Sequence, residues 1–147
     1  FMVHPKIAGK RVHSKPLGVM DVMPTILDVA GIKHPAPLYK GRTVVNMLGS
    51  SLWPMLKGES DQTHPDNYVI ARELFGKRAL QQGDWSIVSL GKPWDDGDWR
   101  LYNLAEDISQ RKNLSKENPR VLNDMEQLWK QYQLDVNVIM PEQPSPY

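Results

Sequence analysis

YVIARELFGKRALQQGDWSIVSLGKPWDDGDWRLYNL, residues 68 to 104, reads as four successive strands. Tyr68 to Arg72 is β-rich, and Lys77 to Gln81 follows a break at Gly76. Asp84 to Leu90 alternates, with Trp85, Ile87 and Ser89 on one face, and Trp99 to Leu104 alternates again. Period-2 alternation marks half-buried strands. The connectors are short and turn-like: Gln82-Gly83-Asp84, then Lys92 to Gly97. Such loops force neighbouring strands antiparallel. The expectation is a small antiparallel sheet with one wet face and one face in need of a cover.

The cover follows in the chain. After a polar turn region, Ala105 to Lys116, Asn118 suits an N-cap and Pro119 an N1 position. Val121, Leu122, Met125, Leu128, Trp129 and Tyr132 then recur at spacings of three and four, which predicts an amphipathic helix over about residues 119 to 133. Leu122, Met125 and Trp129 are expected on the sheet face that carries Trp85 and Ile87. Val136 to Met140 reads as a final strand, and Pro141 to Tyr147 is a Pro-rich tail. The fold class is α+β: a small antiparallel β-sheet covered by a C-terminal amphipathic helix.

Upstream, Phe1 to His4 reads as a strand ended by Pro5, Lys6 to Lys15 as a basic loop, and Leu17 to Met20 as a short extended piece. Asp21 to Gly31 carries helix punctuation: Asp21 at the N-cap, Pro24 in the first turn, Gly31 at the stop. Its apolar positions Val22, Ile26, Val29 and Ala30 share one helical face. His34 to Asn46 reads as a loop, Ser50 to Gly58 as a short capped helix, and Glu59 to Asp66 as an exposed crossing into the sheet.

With 147 residues there is enough chain for a sizeable core. A net charge of +1 carries no polyelectrolyte signature, so no nucleic-acid partner is expected. No apolar run is long enough to span a bilayer and no leader is read, so no membrane partner is expected. Cysteine is absent, which excludes a thiolate metal site and a Cys nucleophile within these residues. Twelve prolines and ten glycines predict many breaks. The strand-like opening at Phe1 reads as a piece of something longer.

Catalytic motifs are sparse. Gly-x-Ser-x-Gly, His-Glu-x-x-His and a phosphate-binding Gly-rich loop are all missing. His4, His13, His34 and His64 fall in loops or at strand ends and read as exposed. Asp95-Asp96-Gly97-Asp98 has the residues of a calcium loop without its later Glu, and reads first as a hairpin turn. Lys6, Lys10, Arg11 and Lys15 read as a solvated basic loop rather than an anion site. For a substrate cleft the sequence offers His13, Arg72, Arg78 and Trp94, although Arg72, Lys77 and Arg78 beside Glu73 read first as cross-strand pairing. Trp53, Trp85, Trp99 and Trp129 read as core or interface, while Trp94 sits in a loop.

Several stretches together resemble one family. Met20-Asp21-Val22-Met23-Pro24-Thr25-Ile26-Leu27-Asp28-Val29-Ala30-Gly31 resembles the Asp-x-x-Pro-Thr-x-Leu-x-x-Ala-Gly helix of sulfatases. Ser51-Leu52-Trp53-Pro54-Met55-Leu56-Lys57-Gly58 resembles their Ser-Leu-x-Pro-Leu-Leu-x-Gly turn. Leu101-Tyr102-Asn103-Leu104-Ala105-Glu106-Asp107, with Asn113-Leu114 after it, resembles their Leu-Tyr-Asp-Leu-x-x-Asp-Pro-x-Glu-x-x-Asn-Leu, with Ile108 in place of Pro. Glu73 to Trp85 is similar to a strand pair of bacterial arylsulfatases. Order and spacing carry the match, since each motif alone is mostly capping and packing residues.

The resemblance implies the C-terminal portion of a bacterial arylsulfatase, in the alkaline phosphatase superfamily. Residues 1 to 60 would be the tail of the large α/β sulfatase domain, and residues 65 to 147 the antiparallel-sheet subdomain. It implies a partner in the N-terminal catalytic domain of the same polypeptide and a sulfate-ester substrate. That upstream domain would carry a formylglycine, made from Cys or Ser in Cys/Ser-x-Pro-x-Arg, and a divalent metal, calcium or magnesium, held by Asp and Asn. Ser14-Lys15-Pro16-Leu17-Gly18 begins like the Ser version but has Gly18 where Arg is required. No catalytic or metal residue carries over, and no cofactor is expected on this chain, which would be inert alone. A stand-alone binding domain, or part of a related phosphate or phosphonate ester hydrolase, is the alternative. Cut from its neighbour, the chain is expected to leave Phe1, Met2, Val3, Val22, Ile26, Leu52 and Trp53 partly uncovered or re-paired, and to self-associate or to require its partner domain.

Overall fold

The computed structural model describes residues 7, 12–13, 15–93 and 95–141. The Phe1 to His4 strand, most of the basic loop, Trp94 and the end of the tail lie outside them. Two compact units divide the chain, Phe1–Pro65 and Asp66–Tyr147.

In the first unit a 3-10 turn, Val19–Asp21, leads into α1, Val22–Val29. Of the piece read as extended, Leu17 to Met20, Gly18 is extended, while Val19 and Met20 belong to the turn. Asp21 precedes the helix without capping it; its carboxylate is engaged in tertiary bonds instead. The stretch read as a plain loop holds a two-residue hairpin, β1 (Leu38–Tyr39) and β2 (Arg42–Thr43). Its turn, Lys40-Gly41, has φ of 48° and 76°, the doubly left-handed form that suits strand twist. A Lys-Gly turn between strands so short gives no periodic signal. α2, Trp53–Lys57, ends on Gly58 at φ 82° as the sequence implies.

The second unit is a four-stranded antiparallel meander: β3 (Val69–Leu74), β4 (Lys77–Gln82), β5 (Trp85–Ser89) and β6 (Arg100–Asn103). Two-residue turns join the first three strands. Phe75-Gly76 has φ of 54° and 86°, and Gly83 has φ 55°. The register places Ala71, Leu80, Ile87 and Leu101 in one row. α3, Pro119–Val136, lies on that row. Leu80, Ile87, Leu101, Met125 and Trp129 form the buried core, with Trp85, Trp99 and Leu122 packed around it. Each large side chain buried there contributes about 1.5–3 kcal/mol before entropy is charged. The Trp129 ring meets Trp99 edge-on at 5.4 Å.

Two readings of this region change. Val136 ends α3 instead of opening a strand, because Asn137 turns left-handed (φ 53°) and closes the helix. The face opposite α3 is not simply wet: Ser86 and Tyr102 are buried there. Asn113 also seals the outer edge of β6. Its Oδ1 accepts from Leu101 N at 3.1 Å, and Leu114 N donates to Leu101 O at 2.8 Å. An edge strand occupied this way offers less to a foreign strand.

Candidate functional site

Paired residues in an antiparallel sheet share a face. Arg72, Ala79, Val88 and Arg100 therefore form one row on the side away from α3, and Ile70, Gln81, Ser86 and Tyr102 the next. Lys77, two residues before Ala79, falls on this side as well. The strands thus give this face three cations and no carboxylate. A half-open cavity of about 200 Å³ lies on it, lined by Ile70, Arg72, Ala79, Ser86, Val88 and Gln110 among others. Gln110 reaches it from the turn after β6 with φ 52°, an uncommon conformation for a non-glycine residue. The turn is tied by Asp107, whose Oδ2 accepts from Arg111 N at 2.6 Å and Lys112 N at 2.8 Å. Gln110 Nε2 then donates to Ser86 Oγ at 3.2 Å.

The residues expected at a cleft part company. Arg72 lines the cavity. Arg78 turns to the other face, where its guanidinium lies 4.6 Å from the Trp99 ring centroid and donates to Gly97 O at 3.1 Å. Glu73 is its register partner but accepts from Gly76 N at 2.7 Å. His13 is exposed in the first unit. Trp94 lies outside the described residues.

Asp95 carries the turn reading of its loop. It accepts from Leu90 N, Gly91 N and Gly97 N at 2.9, 2.6 and 2.9 Å. Burial pushes its carboxyl up, but these three N–H groups, with Arg100 nearby, hold it below the ordinary carboxylate range. With its oxygens so engaged, Asp95 is a loop anchor.

The first unit hides a second polar cluster. Asp21 is fully buried and accepts from Gly18 N at 2.8 Å, Ser50 N at 2.9 Å and His64 Nε2 at 2.9 Å. Burial raises its pKa, yet the bonds from His64, Gly18 and Ser50 outweigh that and hold it below the usual range. His64 is buried, contrary to the reading of all four histidines as exposed. A segment rich in polar residues gave no sign that its one imidazole would find a carboxylate 43 positions earlier. Thr25 Oγ1 donates to Asp21 O and accepts from Leu52 N, so the cluster clamps α1 to the α2 approach. That draws Leu52 and Trp53 inside, at 9% and 8% exposure, so of the two expected outcomes these residues are re-paired rather than uncovered. The bonds that Asp21 accepts tie the start of α1 to the chain at Ser50 and His64, which is a structural role. Among the described residues no group of three or more His, Asp or Glu side chains is placed to hold a metal ion.

A four-stranded meander under one C-terminal helix, preceded by the Pro-Thr helix and its Ser-Leu-x-Pro partner, is the order of elements that the sulfatase resemblance implies for a C-terminal region. No family model matches the chain. It is 33% identical over 121 residues to an uncharacterized sulfatase of Schizosaccharomyces pombe, covering 82% of this chain and 22% of that protein. A solved 2-O GAG sulfatase superposes with a TM-score of 0.58 at 23% identity, over 84% of this chain and 27% of its own. A Bacteroides thetaiotaomicron protein solved in work on glycosaminoglycan metabolism gives 0.58 at 17% identity, over 78% and 24%. At those identities the solved structures support the fold alone. This chain corresponds to the C-terminal portion of a sulfatase, and it spans about a quarter or less of the length of the S. pombe relative.

Proposed function

We propose that the chain completes an arylsulfatase-like sulfuric ester hydrolase. In this reading residues 1 to about 60 are the tail of the large α/β domain. Those from about 65 onward form the small subdomain that walls the substrate cleft, with Arg72 as the residue offered to substrate. The observation that carries it is the 33% identity to a sulfatase over 82% of this chain. The sheet-and-helix fold shared with solved sulfatases agrees with it. The division of the chain after Pro65 suits the proposed boundary. The formylglycine and the divalent metal, which supply the nucleophile and polarise the sulfate when present, belong to the upstream domain. The described residues here provide no set of ligands for a metal. Val22, Ile26 and Val29 on α1 are 47%, 56% and 39% exposed, an apolar stripe suited to that same upstream domain.

The test is a chimera. The chain replaces the C-terminal part of a solved sulfatase, and hydrolysis of 4-nitrophenyl sulfate is compared with the truncated enzyme and with the chain alone. Turnover is expected from the chimera and from neither part. A chimera that folds but stays as inactive as the truncation would refute the reading.

A further inference from the structure

We propose that the Asp96–Gly97 bond is a latent isoaspartate site, held closed in the folded chain by a clamp of Asp95, Ser89 and Arg78 on Gly97. All five residues lie in the second unit, and the chemistry does not depend on the function proposed above. Asp96 is exposed in the loop between β5 and β6, and a glycine follows it. With no side chain on Gly97, its nitrogen is open to the Asp96 carboxyl. Apart from its chain neighbours, nothing lies within 4 Å of where a Cβ would stand. The reaction needs no partner but water. Gly97 N attacks Asp96 Cγ, and the amide proton leaves with the carboxyl hydroxyl as water. Water then reopens the five-membered imide. Opening at the α-carbonyl sends the main chain through the Asp96 side chain, one carbon longer and with no change of mass.

The fold opposes the first step. Both peptide groups that flank the Gly97 Cα are tied. Gly97 N donates to Asp95 Oδ1 at 2.9 Å. Gly97 O accepts from Ser89 Oγ at 2.8 Å and from Arg78 Nη2 at 3.1 Å. The three ties come from the loop itself, from β5 and from β4. Asp95 is fixed in turn by Leu90 N and Gly91 N, and Arg78 by its place over the Trp99 ring. Closing the imide turns the planar Asp96–Gly97 peptide group toward the Asp96 side chain and breaks the bond to Asp95. The reaction therefore runs through the opened loop, at the rate of a free peptide scaled by the fraction of time the loop is open. Asp98, in the same loop, precedes Trp99, whose bulk hinders the same attack, and serves as the internal control.

The experiment compares the 147-residue chain with a free peptide of residues 92 to 102, both aged for weeks in mildly acidic buffer. Isoaspartate is counted by enzymatic methylation of its carboxyl and placed by a shifted retention at unchanged mass. The peptide should convert at Asp96 and not at Asp98. The folded chain should convert at least about tenfold more slowly, as a loop open no more than about a tenth of the time requires. Asp95→Ala and Ser89→Ala each remove part of the clamp and should raise the rate several-fold, with circular dichroism showing that the chain is still folded. If Asp95→Ala fails to fold, Ser89→Ala alone decides. Asp96→Glu should abolish the signal, because Glu would have to close a six-membered ring. A folded wild-type chain that converts as fast as the peptide, or faster, would overturn the clamp. So would a rate that folded Ser89→Ala leaves unchanged.

Discussion

At the scale of single residues, a few positions do work that their neighbours cannot. Gly49 is one. A Cβ there would stand 2.1 Å from the carbonyl oxygen of Met20, so the two backbones touch where any side chain would part them. Gly49→Ala should destabilise the first unit by about 1–3 kcal/mol, the usual cost of overpacking, in denaturant unfolding. A neutral result would mean that the close approach does not exist. Asp21 and Asp95 make a second test. Both folded pKa values are depressed, so their contributions are complete above the unfolded value of about 3.9 and are lost as pH falls through the folded ones. Stability should therefore be flat above about pH 5 on their account and decline below about pH 4. Asp21→Asn should flatten part of that decline and cost about 1.5–3 kcal/mol at neutral pH, since three donors lose a charged acceptor. An unchanged acid profile in this variant would remove Asp21 from the explanation.

At the scale of elements, the helix and the sheet stand or fall together. Trp129 is 2% exposed and touches Trp99 and Tyr132, so it joins α3 to the core row of the sheet. Trp129→Ala should cost about 3–5 kcal/mol, read from chemical denaturation. A loss below about 1 kcal/mol, the scale of surface change, would contradict the packing. The Trp129 indole N–H is buried without a partner among the described residues. Trp129→Phe should accordingly cost well under the alanine value, because it removes an unpaired donor along with some contact area. The strands were legible because their alternation is period 2 and their turns use glycine at positive φ. The end of α3 was not. Val136 to Met140 has strand-like composition, and only the left-handed turn at Asn137 determines that the helix claims its first residue.

At the scale of the whole molecule, the apolar stripe on α1 is an exposed apolar surface among the described residues. Val22, Met23 and Ile26 are 47%, 56% and 56% exposed, and Val19 is 87% exposed. An amphipathic helix turned outward this way is a contact surface awaiting a partner. The isolated chain should associate with itself across the micromolar range in sedimentation, and a Val22→Lys, Ile26→Glu double variant should return it toward monomer. A wild-type chain that stays monomeric and binds no apolar-surface dye would show that the stripe is tolerated in water.

The sequence alone determined the meander, the covering helix, the two short upstream helices and the likeness to sulfatases. Each of these rests on spacing within a short window: alternation for strands, threes and fours for helices, Gly and Pro at the breaks. Tertiary structure alone decided where the polar groups went. Asp21 and His64, 43 residues apart, became a buried pair. Of two arginines on neighbouring strands, Arg78 was drawn to a tryptophan and Arg72 left to face a cavity. Gln110 was carried onto Ser86, 24 residues earlier. Local pattern encodes which face of an element is apolar. The partners of a charge or an amide depend on which distant segments meet there, and that is settled only when the chain closes on itself.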